Sequence, residues 1–163
     1  MRKLLFIAAA LTATTPVGAQ DGFSLTPGAQ SQDDAWQSSQ QWALTRLAAD
    51  PGWSYLDGLY WRRIDGNGTG EKPLPTDTVT VHFAGTFVDG TTFDSSFGGG
   101  RPATFPLARV VRAWQLAIPQ MGVGDTIEIV SPASLGYGPA GRGSIPGGAT
   151  LMFKVQLLGI TGR

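Results

Sequence analysis

Few side chains in this sequence could perform polar catalysis. The 163 residues include one histidine, His82, and no cysteine, which excludes a thiol nucleophile, a disulfide scaffold and thiolate metal sites. A serine hydrolase would need a serine and an acid beside His82, and the sequence has no Gly-x-Ser-x-Gly motif. Asp94, Asp125 and Glu128 lack the spacing of a ligand cluster. We therefore predict no metal and no cofactor.

The aromatic side chains give a stronger signal. Six of them come from separate predicted elements: Phe83, Phe93, Phe105, Trp114, Tyr137 and Phe153. Most stand on faces that should point toward one helix. Such a set is either an ordinary core or an apolar pocket with a few polar rim groups, and composition leaves both interpretations open.

A β-rich pattern must position these aromatics. Strands are predicted where apolar and polar residues alternate, at residues 59–64, 78–87, 91–94, 126–130 and 151–158. Asp89-Gly90 predicts a two-residue hairpin turn, and the glycines of residues 66–70 predict a turn rather than a nucleotide loop. Val110, Val111, Trp114 and Ile118 recur at helical spacing, which predicts one helix over residues 109–118. The fold class is α+β.

The first residues are typical of a signal peptide. Arg2 and Lys3 precede an apolar run, residues 4–11, and a small-residue cleavage signature ends at Ala19. The run is too short to span a bilayer, and no cysteine follows it for lipid attachment. We therefore expect residues 1–19 to be removed from an exported, periplasmic or secreted protein. An uncleaved anchor or a fortuitous apolar segment is the alternative.

Residues 20–55 form a predicted extension before the main domain, residues 56–163. Its first part is rich in Gly, Pro, Gln and Ser, a composition typical of disorder, and a short helix is predicted from about Ala35 to Ala49. The extension is either a partner-binding or dimerising arm, or a spacer whose aromatics pack on the domain edge. The chain has 12 basic and 12 acidic residues, so no charge pattern indicates nucleic acid.

Dispersed motifs resemble one family over about residues 56–161. They are VHFAGTFVDGTTFDSS (81–96), FPL (105–107), VVRAW (110–114), QMGVGD (120–125), LGYG (135–138) and IPGGATLMF (145–153). In order and nearly in spacing they resemble the FKBP-type peptidyl-prolyl cis-trans isomerases. The resemblance implies an antiparallel five- to six-stranded half-barrel wrapped around one short helix.

The same resemblance implies roles for particular residues. Trp114 would form the floor of a pocket for the proline ring, and its walls would be Phe83, Phe93, Val110, Val111 and Phe153. The Val111 N–H and the Tyr137 hydroxyl would hold substrate carbonyls. Asp94 would be an acceptor at the rim, and Ile145 would close the pocket.

The implied function is acceleration of Xaa-Pro bond rotation, which assists the folding of exported proteins. Rotation has a barrier of about 18–20 kcal/mol set by amide resonance and needs neither proton transfer nor a cofactor. Partners would be proline-containing peptides, unfolded proteins and macrolide inhibitors, and the protein would be a monomer without a membrane span.

Two departures from the family pattern favour an alternative, a proline-peptide binding or chaperone module with little catalysis. Phe83 replaces a common tyrosine whose hydroxyl would orient Asp94. Ala103 replaces a common phenylalanine and opens one wall of the pocket. A third departure is Arg109, which stands where the best-known eukaryotic members have an acidic residue.

Overall fold

The computed structural model describes residues 34–161. The predicted signal peptide and the first part of the predicted extension lie outside these residues. The elements, in chain order, are α1 (Asp34–Ala48), β1 (Ser54–Leu56), β2 (Leu59–Asp65), β3 (Thr78–Phe87), β4 (Thr92–Ser95), β5 (Ala103–Pro106), α2 (Arg112–Ala117), β6 (Thr126–Ser131) and β7 (Leu151–Thr161). The helix predicted in the extension is present as α1.

A single antiparallel sheet carries the fold. Its strands follow the order β1-β2-β6-β7-β3-β4, and β5 pairs with β3 beyond this path. The sheet curls around α2 without closing into a barrel, so the α+β half-barrel is confirmed. The described residues contain seven strands rather than five to six. The additional β1 and β5 have three and four residues, too few for alternation alone to reveal them. The equally short β4 was predicted because it follows the Asp89-Gly90 turn.

The concave face of the sheet and α2 form the core. On β3, Val79, Val81 and Phe83 are buried while the residues between them are half-buried, which confirms the predicted alternation. On α2, Ala113, Trp114 and Ala117 are buried against the sheet. Removal of these apolar surfaces from water is the main stabilising contribution to the fold.

The helix predicted over residues 109–118 is wrong at its start. Residues Leu107–Arg109 form a 3₁₀ turn, Val110 is extended with φ −88° and ψ 173°, and α2 begins only after Val111. Two adjacent β-branched residues disfavour a helix. The Gln115 side chain also donates from Nε2 to the Val110 carbonyl oxygen at 2.9 Å, which holds this residue outside the helix.

The turn between β3 and β4 also differs from the prediction. The Phe87 N–H donates to the Thr91 carbonyl, and the Gly90 N–H donates to the Phe87 carbonyl, so the loop has three residues rather than two. A two-residue Asp-Gly turn needs positive φ at both positions. Only Gly90 has one here, at +87°, and a single left-handed residue suits the three-residue loop.

A buried carboxylate joins the turn after β2 to the start of β6. Asp125 is 2 % exposed and accepts hydrogen bonds from the N–H groups of Gly122 (2.8 Å) and Gly68 (3.0 Å) and from Arg63 Nε (3.0 Å). Burial raises the pKa of Asp125, but the two backbone donors and Arg63 together hold it below its usual value. The glycines of residues 66–70 therefore form the predicted turn, tied to Asp125.

Candidate active site

Trp114 lies at the centre of an aromatic cluster. Its ring makes edge-to-face contacts with Phe83, Phe153 and Phe105, at centroid distances of 5.4, 5.7 and 5.8 Å. Such pairs contribute about 0.5–1.5 kcal/mol each beyond their buried area. The helix α2 supplies Trp114, and β3, β5 and β7 supply its partners. The structure thus brings Phe83, Trp114 and Phe153 together, and adds Phe105, which the sequence analysis had not included among the site residues.

The indole N–H of Trp114 has no hydrogen-bond partner among residues 34–161. The side chain is 4 % exposed, so bulk solvent has little access to it. An unsatisfied buried donor costs about 1–3 kcal/mol, and native proteins contain few of them. Because this unsatisfied donor lies at the centre of the aromatic cluster, it favours a binding role for Trp114 over simple core packing.

Phe93 joins the cluster from β4 through a space left by a glycine. Its ring lies 5.9 Å from Phe153 and 5.1 Å from Phe87, between centroids. A Cβ on Gly85 would lie 2.5 Å from the Phe93 ring, so only glycine allows this placement. Gly85 was not predicted as part of the site. Its signal was a glycine at a buried position of an alternating strand, which often marks a close approach.

Asp94 is exposed and follows Phe93 directly on β4. It pairs with Gly85 in the β3–β4 register, and a bulge follows where Thr86 pairs with Thr92. A regular strand would send Phe93 and Asp94 to opposite faces, whereas a bulge re-aims side chains locally. No described residue donates a hydrogen bond to the Asp94 carboxylate. Phe83 has no hydroxyl, which predicts that Asp94 loses an orienting partner. Asp94 has no such partner among the described residues.

The chain before α2 presents a free peptide N–H next to the cluster. The carbonyl of Val111 accepts hydrogen bonds from the N–H groups of Trp114 and Gln115, while its own N–H finds no acceptor among residues 34–161. Val110 and Val111 are both half-buried and pack against the core. This N–H at the N-terminal end of α2 could bind a carbonyl oxygen, because the first N–H groups of a helix lack intrahelical partners.

Tyr137 and Ile145 belong to a loop that packs on the same core. Tyr137 is half-buried, whereas Ile145 is 8 % exposed and part of the buried cluster. Ile145 exchanges two backbone hydrogen bonds of 2.9 Å with Arg142, and the N–H of Gly148 donates to the Gly138 carbonyl. These bonds close the loop immediately after Tyr137.

His82 and Ser96 form a pair on the other side of β3. His82 Nδ1 lies 3.1 Å from Ser96 Oγ, and the imidazole stacks on Phe97. Ser96 Oγ also accepts the Phe83 N–H at 2.8 Å, so it links β3 to the end of β4. No carboxylate among the described residues contacts His82. The third member of a hydrolase triad is therefore not present in this part of the chain.

Two cavities lie outside the aromatic cluster. One, of about 480 Å³, lies between α1 and the loops that include Pro132 and Gly148. The other, of about 320 Å³, lies beside Phe97 and Lys154. Neither cavity is lined by Trp114. The indole is nearly covered, so a ligand at the cluster would contact mainly the accessible parts of Phe93, Val110, Val111 and Tyr137. Residues 34–161 contain no group of acidic or histidine side chains that could hold a metal.

Comparison with known proteins shows that a family model matches the part of the chain that contains these residues. The family model described as FKBP-type peptidyl-prolyl cis-trans isomerase matches residues 69–158, which include Phe83, Asp94, Trp114 and Phe153. This chain belongs to that family. The match spans more than half of the chain and begins after α1.

Similar proteins extend this finding. The chain is 48% identical over 103 residues to the FKBP-type peptidyl-prolyl cis-trans isomerase FkpA of Aeromonas hydrophila, a match that covers 63% of this chain and 38% of that protein. It is 45% identical over 104 residues to the outer membrane protein MIP of Legionella longbeachae, covering 63% and 44%. The crystal structure of FkpA from Escherichia coli superposes with a TM-score of 0.73 and 33% identity, covering 78% of this chain and 60% of that one. The chain thus spans less than half the length of these two curated relatives.

Proposed function

We propose that this protein is a peptidyl-prolyl cis-trans isomerase that acts on Xaa-Pro bonds of peptides and unfolded proteins. The observation that carries the proposal is the aromatic cluster around Trp114, bordered by the unpaired Val111 N–H. The family match covers the residues of this cluster. The site has apolar surface and carbonyl-binding donors, which suits a reaction that needs no nucleophile.

Desolvation supplies the rate enhancement in this mechanism. A planar amide is resonance-stabilised and polar, whereas the twisted amide at the top of the barrier has lost conjugation. An apolar surface therefore disfavours the planar state more than the twisted one, and only such differential stabilisation accelerates a reaction. The proline ring lies over Trp114, in contact with the accessible parts of Phe93 and Val110, and Phe83 and Phe153 hold the indole in place.

Polar groups at the margin fix the peptide. The Val111 N–H donates to one substrate carbonyl and the Tyr137 hydroxyl donates to another. Asp94, as the acceptor at the rim, attracts the partly positive carbonyl carbon of the Xaa-Pro amide, which has no N–H to donate. Ile145, which packs on the core from the same loop as Tyr137, closes the pocket. Immobilising both sides of the Xaa-Pro bond limits the reaction to rotation between them.

Export is part of the proposal. Arg2, Lys3 and the apolar run of residues 4–11 support a signal peptide that is cleaved after Ala19, and one relative is named an outer membrane protein. The part of the chain from Asp34 to Thr161 has no helix long and apolar enough to cross a membrane. We infer a monomer in the periplasm, or outside the cell, that assists folding there and takes macrolide inhibitors at the same site.

The exposed Asp94 favours a second candidate function, peptide binding with little catalysis. Its carboxylate has no hydrogen-bond donor among the described residues, and Phe83 has no hydroxyl to orient it. A weakly held acceptor would still bind a peptide but would stabilise the twisted amide less. Binding of a proline peptide in a fluorescence titration, with no isomerisation, would select this function.

A protease-coupled assay with a succinyl-Ala-Leu-Pro-Phe-nitroanilide substrate tests the first proposal. We expect the slow phase of cis-peptide cleavage to accelerate in proportion to micromolar protein, with no cleavage in the absence of the protease. An unchanged slow phase at this concentration would contradict isomerase activity.

A further inference from the structure

The helix α1 lies before the family match and yet contacts the loop of the proposed site. Gln40 is its one buried residue in this structure, at 6 % exposure. The Gln40 side-chain Oε1 accepts the Thr150 N–H at 2.9 Å, and the Gln40 backbone carbonyl accepts the Thr150 hydroxyl at 3.2 Å. The amide nitrogen of Gln40 donates to Ser39 Oγ at 3.0 Å. Both donors of Thr150 are thus bound to α1.

A second contact of α1 is made at Gly148, two residues before Thr150. The Trp36 ring packs against the core and lies over Gly148, where an added Cβ would be 3.6 Å from the ring. Gly148 has φ +83° and makes the 3.0 Å hydrogen bond that closes the loop on Gly138. Tyr137 precedes that bond directly, and Ile145 lies within the loop. The helix therefore holds the base of the loop that presents both residues.

The contacts of α1 are specific rather than extensive. Apart from Gln40, none of its fifteen residues is buried. The apolar stripe of Trp36, Ala43, Leu44 and Leu47 is only half-buried, so it stabilises the fold less than a fully buried helix face would. The small, directed contact of Trp36 and Gln40 is better suited to fixing a backbone position.

We propose that Trp36 and Gln40 are positioning residues, through which α1 fixes the Gly138–Gly148 loop and hence Tyr137 and Ile145. This inference rests on the proposed isomerase function for its kinetic consequence. It gives the extension a role inside the molecule, in contrast to a partner-binding arm. Loss of α1 contact leaves the Trp114 cluster intact and loosens the loop, so KM rises more than kcat falls.

The experiment compares two tryptophans of the same helix in the full chain. Trp36→Ala removes the ring over Gly148, and Trp42→Ala is the matched control because Trp42 is 61 % exposed. We expect Trp36→Ala to raise KM for the proline tetrapeptide about fivefold, the equivalent of one lost hydrogen bond. Amide hydrogen exchange in residues 138–148 should become faster in this variant. The conservative Trp36→Phe should restore most of both properties.

A second variant decides the outcome if Trp36→Ala unfolds. Thr150→Val keeps the shape of its side chain and removes the hydroxyl bonded to Gln40, so it should accelerate exchange in the same loop. Unchanged exchange in both variants, or equal effects of Trp36→Ala and Trp42→Ala, would overturn the inference. An inactive wild type would contradict the proposed function alone, since loop exchange is measured independently of activity.

Discussion

The aromatic cluster around Trp114 and the hydrogen-bonded group around Asp125 (the Asp125 hub) are both buried. They differ in whether their polar groups have hydrogen-bond partners. Asp125 accepts hydrogen bonds from Gly68, Gly122 and Arg63. The indole N–H of Trp114 has no partner within residues 34–161. A fully satisfied buried polar network makes a fold rigid and specific, whereas the apolar Trp114 cluster has a donor that is not used within these residues. We propose that this difference separates a structural centre, Asp125, from a functional one, Trp114.

The largest expected effect is on the structural side. Asp125→Asn removes the charge that attracts Arg63 and both backbone donors, and should lower the free energy of unfolding by about 3 kcal/mol. Urea unfolding measures it. Glu128→Gln is the control, because the Arg62–Glu128 ion pair is partly exposed and contributes about 0–1 kcal/mol. Equal losses of unfolding free energy in the two variants would show that Asp125 contributes no more than the partly exposed Arg62–Glu128 pair.

The next effect is on the functional side. Trp114→Leu replaces the indole with a smaller apolar side chain and should keep the fold. Peptide affinity should fall by about 2 kcal/mol, or roughly 30-fold, because the apolar floor is lost. Fluorescence anisotropy with a labelled proline peptide measures the affinity. Wild-type affinity in a folded Trp114→Leu protein would place the binding site elsewhere.

A smaller effect tests the space under Phe93. Gly85→Ala introduces a methyl group into the Phe93 ring and should cost about 1–3 kcal/mol of stability through overpacking, with weaker peptide binding. Gly159→Ala is a matched control in the same sheet, since its Cβ would meet no atom within 4 Å. If both variants melt at the wild-type temperature, the placement of the Phe93 ring does not require glycine at position 85.

Asp94→Val should have a modest effect confined to catalysis. The residue is exposed, so we expect no measurable change in stability and about a fivefold loss in kcat/KM from removal of one acceptor. The protease-coupled assay measures it against the neighbouring Asp89→Val, which lies in the hairpin loop. An unchanged rate would remove Asp94 from the site.

The smallest effect appears in the pH dependence of stability. The pKa of Asp125 is lowered in the folded state, so its stabilisation is complete above the unfolded-state pKa of about 3.9. It is lost as the pH falls through the lower folded-state value. The stability gap between wild type and Asp125→Asn should therefore narrow below about pH 4. A gap that stays constant from pH 7 to pH 2 would contradict this linkage.

Sequence patterns predicted the regular parts of this fold well. The alternation of Val79, Val81 and Phe83 placed β3 at its observed bounds, because one buried face enforces a period of two. β4 and β5 both have four residues, but only β4 follows a recognisable hairpin turn, Asp89-Gly90, so β5 was not predicted. Val110 and Val111 were assigned to the helix since their spacing matched that of Trp114, whereas β-branching and the Gln115 hydrogen bond keep them extended.

The candidate site was predicted only in part, for a different reason. The aromatic residues were found from their types and motif positions, and ring contacts now link Phe83, Phe93, Trp114 and Phe153. Contacts between distant segments had no local signal. The bond between Gln40 and Thr150 joins residues 110 positions apart, and the lack of a partner for the Trp114 N–H is a property of packing.

One measurement tests the central distinction most directly. Exchange NMR on an Ala-Leu-Pro-Phe peptide, free of any protease, records cis–trans interconversion with the wild type, Trp114→Leu and Asp125→Asn below their unfolding temperatures. We predict fast exchange with the wild type and with folded Asp125→Asn, and a strongly reduced rate with Trp114→Leu. No acceleration by the wild type, or equal acceleration by Trp114→Leu, would contradict the account.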